Sequence, residues 1–145
     1  MKRILVATDG SECADRAVAF AAGLAKDYKA ELVIANIMGG YGLPGEVVRQ
    51  FSQPQNAWFD ELLTSTSAQM LAKARDRARS LGVTTIQLDS RSGEVAQALV
   101  DLANERQADV IVVGRRGAGR LERLLLGSVS QKLAGLSPRP VIVVP

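Results

Sequence analysis

At 145 residues the chain is long enough to bury a core of its own, and residues 1–145 are read as a single domain. An apolar share of 47% with 23% charged residues is ordinary for a soluble globular protein, and no apolar run approaches the ~20 residues of a membrane span. One cysteine excludes an internal disulfide, the absence of histidine removes the commonest zinc ligand, and the net charge of +3 is not spread evenly along the chain.

Met1-Lys2-Arg3 leads directly into a strand pattern over Lys2 to Thr8, so no leader peptide is expected and the expected location is the cytoplasm. Asp9-Gly10-Ser11 is turn chemistry, and either Asp9 or Ser11 suits the cap of the next helix. That helix is predicted from Cys13 to Tyr28, with Ala17, Val18, Ala21, Leu24 and Ala25 at helical spacing. Glu31 to Met38 is a second apolar strand. Gly39 to Gln55 holds four glycines and two prolines and reads as a long surface loop. Asn56 to Leu81 then predicts one long helix, with an apolar stripe of Trp58, Leu62, Leu63, Met70, Leu71, Ala74 and Ala78 and a stop at Gly82. A third strand is expected over Thr84 to Leu88. Gly93-Glu94 opens a helix running to about Gln107, and Asp109 to Val113 is a fourth strand, rich in β-branched residues. Val129 to Leu136 is predicted as a short helix with Ser128 as its N-cap, and Pro140 to Val144 as a fifth strand.

Strict alternation of strand and helix calls for an α/β fold, a doubly wound five-stranded parallel sheet with helices on both faces. In such sheets ligands bind beyond the carboxyl ends of the strands, where the strand order reverses. The ends of strands one and four, carrying Asp9 and Gly114, are the expected mouth of a site.

The stretch between strand four and the last helix carries the most chemistry. It reads Gly114-Arg115-Arg116-Gly117, nine residues, then Gly127-Ser128-Val129-Ser130. Glycines allow close backbone approach to a phosphate, and the last amides stand at a helix N-terminus, where the dipole favours an anion. Charge agrees. From Val110 to Pro145 six basic residues face Glu122 alone, giving +5 against −2 for the rest of the chain. Nucleic acid would account for a basic segment too, but 4% aromatic residues offer few stacking platforms and no nucleic-acid-binding motif is present. The strand-one turn, Thr8-Asp9-Gly10-Ser11, is not G-x-G-x-x-G, and no G-x-x-x-x-G-K-[ST] occurs, so neither common nucleotide signature applies. Cys13 lies near a helix N-terminus without a histidine partner, and no catalytic residue is assigned.

The blocks Ile4 to Ser11, Val110 to Gly114, Leu124 to Ser130 and Pro140 to Val144, with the frame Gly-x2-Gly-x9-Gly-Ser intact, resemble the universal stress protein family, specifically its ATP-binding branch. The resemblance implies a Rossmann-like fold and a homodimer paired through the C-terminal strand. It implies an adenine nucleotide, ATP or its diphosphate or monophosphate, with Mg2+. Adenine and ribose are expected near Thr8, Asp9 and the backbone about Ile37. The phosphates are expected on Gly114, Arg116, Gly117, Gly127, Ser128, Val129 and Ser130. Family members often carry histidine where Arg116 stands, and arginine still supplies donors suited to phosphate. The function implied is nucleotide-dependent regulation in a stress response through a protein partner the sequence does not name. The rival is a slow ATPase or adenylate-transferring enzyme of the same architecture, and a nucleotide-free scaffold comes third. Metal ligands are not legible.

Overall fold

The computed structural model describes residues 1–38, 57–115 and 126–145. The loop expected at 39–55 lies outside these residues, as do Arg116 and Gly117. Five strands are present among the described residues: β1 (Arg3–Ala7), β2 (Glu31–Met38), β3 (Ile86–Ser92), β4 (Val110–Gly114) and β5 (Val141–Val144). Four helices join them: α1 (Glu12–Tyr28), α2 (Ala57–Ser80), α3 (Val95–Arg106) and α4 (Ser128–Leu136). All strand pairs are parallel, in the order β3-β2-β1-β4-β5.

The alternation of side chains along each strand divides the core into two layers. Ile4, Val6, Leu32, Ile34, Val110 and Val112 meet Val18 and Ala21 of α1 and Leu71, Ala74 and Ala78 of α2. Leu5, Val33, Ala35, Ile111 and Val113 meet Leu99 and Leu102 of α3 and Leu133 of α4 on the other face. Ile4, Leu5 and Val6 are wholly buried, as a central strand covered on both sides requires. The alanine spacing of α1 lets that helix lie close to the sheet, and Ala17, Ala21 and Ala22 are fully enclosed. No helix among the described residues is long and apolar enough to cross a membrane.

Three local expectations are corrected. The third strand runs Ile86–Ser92 rather than Thr84 to Leu88 and pairs with β2 from Leu32↔Ile86 to Met38↔Ser92. Its second half is polar because it is a sheet edge bound by charge. Arg91 takes Asp89 at 3.0 Å and grips Glu105 of α3 with two bonds of 2.9 and 2.6 Å, and Arg106 reaches Asp89 at 3.0 Å. Such a charged edge resists pairing with another strand. The apolar stripe of α2 is real at Leu71, Ala74 and Ala78, but Leu62 is exposed, so its first turns do not bury that face. The side chains of Trp58 and Leu63 lie outside the described set. Finally, Ser128 is the first residue of α4 and not its cap, which is Gly127.

Candidate functional site

The strand order reverses direction about β1 and β4, and their registered pairing ends at Val6↔Val112. Both chains run on past that pair, β1 into Thr8 and Asp9 and β4 into Gly114 and Arg115. Two helices, α1 and α4, start from this crevice.

The β1–α1 side is closed by its own side chains. Thr8 is buried, and its Oγ1 accepts the Gly10 N–H at 3.2 Å. Asp9 Oδ1 accepts the Ser11 N–H at 2.9 Å, the short-range turn that aspartate favours. Of the two candidate caps, Ser11 takes the role: its Oγ accepts the Ala14 N–H at 3.1 Å. Glu12 and Asp15 add carboxylates to the first turn of α1. Gly10 turns the chain at φ +80°, a conformation that favours glycine.

The β4–α4 side is tied by main chain. The Arg115 N–H donates to Val144 C=O at 2.7 Å, and the Gly127 N–H donates to Arg115 C=O at 2.7 Å. Ser130, 1% exposed, donates its hydroxyl to Gly114 C=O at 3.0 Å and to Arg115 C=O at 3.3 Å. The end of β4 is therefore clasped to the start of α4. Gly114 is small for a packing reason. A Cβ there would stand 2.9 Å from the Cys13 carbonyl carbon and 3.0 Å from its Sγ, so the start of α1 crosses directly over it. The Cys13 thiol is itself enclosed and donates to Val144 C=O at 3.5 Å.

Helix α4 begins differently from α1. Gly127 has no side chain to cap it, and the first turn holds no acidic residue. The Gln131 N–H makes the first intrahelical bond, to Gly127 C=O at 3.0 Å. The amides of Ser128, Val129 and Ser130 precede that bond and lack an intrahelical acceptor by construction. Ser128 is exposed, Val129 half-buried and Gly127 buried. The Nε of Arg115 is enclosed without a hydrogen-bond partner among the described residues. This donor set fits a phosphate group.

Among the expected site residues, Thr8, Asp9, Gly114, Gly127, Ser128, Val129 and Ser130 thus sit on the two sides of one crevice. Ile37 reaches it from β2 with its side chain buried in the core. Sequence reasoning missed Asn36, a buried side chain whose Nδ2 donates to Thr8 C=O at 2.8 Å. A lone amide within an otherwise apolar strand was the available signal. Among the described residues no cluster of three or more Asp, Glu, Cys or His side chains is placed to hold a metal ion.

A sequence model of the universal stress protein family matches residues 1–145. The chain belongs to that family. A universal stress protein of Methanocaldococcus jannaschii is 32% identical over 148 residues, covering 99% of this chain and 81% of that protein. A universal stress protein solved in complex with cAMP is 32% identical, with a TM-score of 0.70 over 99% of this chain and 95% of that one. The universal stress protein of Archaeoglobus fulgidus, solved in complex with dAMP, has the same TM-score at 24% identity, over 100% of this chain and 98% of that one. At that identity the likeness speaks to the fold.

Proposed function

We propose that this universal stress protein binds ATP in the crevice between β1 and β4 and acts as a nucleotide-dependent regulatory protein of the cytoplasm. The observation that carries the proposal is the start of α4, where three amides meet no capping side chain and no carboxylate, opposite a second helix start that carries a serine cap and two first-turn carboxylates. The phosphates would lie on Gly127, Ser128, Val129 and Ser130, with Gly114 and the flanking Arg116 and Gly117 completing the loop. The sugar and base would lie toward Thr8, Asp9 and Ile37. Mg2+ would enter with the triphosphate. The relative crystallised with cAMP supports an adenine nucleotide in this family.

Output would pass through a protein partner, and the working form would be a homodimer. Val141 to Val144 form an apolar, half-buried edge whose one neighbouring strand among the described residues is β4, in contrast to the charged edge at β3. An edge of that kind pairs readily with its own copy about a two-fold axis. Light scattering should then give about twice the 15.4 kDa chain mass, and a strict monomer would refute the dimer.

The direct test is to purify the protein, denature it and chromatograph the released nucleotide, then titrate the emptied protein with ATP calorimetrically. Absence of adenine-nucleotide binding overturns the proposal. Phosphate release with Mg2+ separates the enzyme alternative. Turnover far below the ~1–10³ s⁻¹ of typical enzymes is expected. A rate near one per second that disappears in Gly127→Val would favour the enzyme.

A further inference from the structure

The lysines and arginines among the described residues fall into two groups. Most are held by a carboxylate or a main-chain carbonyl, as Lys132 is by Glu94 at 3.3 Å and Arg16 by Pro145 C=O at 2.8 Å. Apart from Arg115 at the crevice, those without such a partner among the described residues are Lys2, Lys26, Lys29, Arg77 and Arg79, and all five are exposed. They converge at the end of the sheet where the strands begin, opposite the crevice. Lys2 precedes β1, and its C=O accepts the Glu31 N–H at 2.9 Å, which sets it beside the α1–β2 corner that carries Lys26 and Lys29. Lys26 lies along the α2–β3 corner, where a Cβ on Gly82 would stand 3.1 Å from its Cδ. Arg77 and Arg79 occupy the last turn of α2, directly before that corner. Few acids oppose them. Glu31 is taken by Arg3 at 3.0 Å and Asp76 by Arg75 at 3.3 Å, which leaves Asp27 as the one acid of these two corners without an ion pair among the described residues.

We infer that this end of the molecule docks on the anionic surface of a lipid bilayer. Helix dipoles account for part of the charge, since Lys26, Arg77 and Arg79 stand in last turns, where a cation suits the carbonyl ends. Lys2 and Lys29 lie outside both helices, and Lys29 takes a φ of 52° that ordinarily selects glycine or asparagine. The apolar side chains decide the kind of partner. Tyr28 is 56% exposed, Met1 47% and Leu81 41%, so three large apolar groups stand in water among the cations. A nucleic-acid duplex would take the cations and set those groups against its phosphates. A bilayer takes both, with anionic headgroups for the ammonium and guanidinium groups and the acyl boundary for the apolar tips. Contact of this kind is peripheral and needs no spanning helix, and none is present among the described residues. A protein docked by this end keeps its crevice turned away from the lipid, because the crevice lies at the carboxyl ends of the same strands.

Cosedimentation with vesicles tests this on the full chain. Wild type should bind phosphatidylcholine vesicles carrying about 30% phosphatidylserine at least ~10-fold more tightly than pure phosphatidylcholine, and raising the salt from about 0.05 to about 0.5 M should release it. Lys29→Glu should weaken binding about tenfold, while Lys132→Glu, an equal change of charge placed on α4, should leave it within about twofold. Tyr28→Ser combined with Leu81→Ser should also weaken it about tenfold at constant charge, through the lost apolar contact. Each variant is checked for folding by its thermal transition, and the salt series on wild type needs no variant. Equal binding to the two vesicle types overturns the inference, as do equal losses in Lys29→Glu and Lys132→Glu. Full binding by the Tyr28→Ser, Leu81→Ser variant overturns it too, since cations alone would then account for the contact. Retention of a short RNA duplex in preference to the anionic vesicles assigns the patch to nucleic acid and overturns it as well.

Discussion

Helices α1 and α4 start from the same crevice, and their first turns are chemical opposites. In α1 the Ser11 hydroxyl takes the Ala14 N–H, Asp9 takes the Ser11 N–H, and Glu12 and Asp15 set negative charge against the helix dipole. In α4 the cap is Gly127, no side chain closes the turn, and no acid lies within it. A self-capped helix start needs no ligand, whereas an open one leaves donors unmatched. Two adjacent helix N-termini therefore do different work. The first anchors the chain as it leaves β1, and the second leaves its amides open, which is where the proposal puts the phosphates.

The largest effect is expected from making α4 resemble α1. Ser128 occupies the same place after its cap as Glu12 does after Ser11, and it is exposed, so a longer side chain has room. Ser128→Glu would put a carboxylate where the phosphates are proposed to sit. ATP affinity should fall at least ~100-fold, while the thermal midpoint stays level or rises slightly, since an acid in the first turn is worth about 0.3–1 kcal/mol to the helix. Calorimetric titration beside a melting curve separates the two. Unchanged affinity would mean that the open helix start is not the anion site.

A smaller loss is expected from loosening the clasp. Ser130→Ala removes the hydroxyl that bonds Gly114 and Arg115 carbonyls. Arg115 C=O keeps the Gly127 N–H, so the tie between β4 and α4 is weakened rather than released. ATP affinity should drop about tenfold with a stability loss near 1 kcal/mol. Ser130→Thr, which keeps the hydroxyl, should recover most of both. If Ser130→Ala binds ATP as tightly as wild type, the clasp does not organise the site.

The converse change on α1 should touch stability alone. Ser11→Ala deletes the cap bond to Ala14 and costs about 1 kcal/mol, a fall of roughly 2–4 °C in Tm for a chain of this size. ATP affinity should hold within twofold. A tenfold loss there would show that α1 also faces the ligand, and the contrast between the two helices would fail.

Much of this contrast was legible in the sequence, and the illegible part has physical causes. The edges of β2 follow from its apolar run, because both of its faces are buried, and the extent of α1 follows from helical spacing, because one face meets the core. The Gly-x2-Gly-x9-Gly-Ser frame marked the open side. Strand β3 was misplaced because Asp89, Ser90 and Arg91 look like loop residues until Glu105 and Arg106 of α3 are brought beside them. The sequence offers no packing reason for the size of Gly114, because the backbone of Cys13 that stands against it is a neighbour 101 positions away in the chain. Asn36 is a lone amide in an apolar strand until the register of β1 against β2 brings Thr8 C=O beside it.

The smallest effect is expected at the opposite end of the sheet, and it serves as the control for both helices. Asp109, ahead of β4, accepts the Lys2 N–H at 2.7 Å and the Arg3 N–H at 2.9 Å. The Arg3 amide first and the Lys2 amide second hold its carboxyl below the ordinary value of 3.8. A carboxyl depressed in the folded state stabilises the fold above its unfolded pKa, and that contribution is lost as pH falls through the folded value. It is therefore complete at neutral pH and disappears below about pH 4. Asp109→Asn keeps the shape and removes the charge. Because the site is exposed, screening should hold the loss at pH 7 under about 1 kcal/mol. The gap in Tm between the two proteins should narrow steadily from pH 5 to pH 2 as the wild-type carboxyl takes up its proton. ATP affinity at pH 7 should not change, since Asp109 lies at the other end of the strands from the crevice. A gap that stays constant over that range would show that the charge of Asp109 contributes nothing. A fall in ATP affinity would show that the two ends of the sheet are coupled, and the effects assigned to Ser128 and Ser130 would then need to be measured again relative to that coupling.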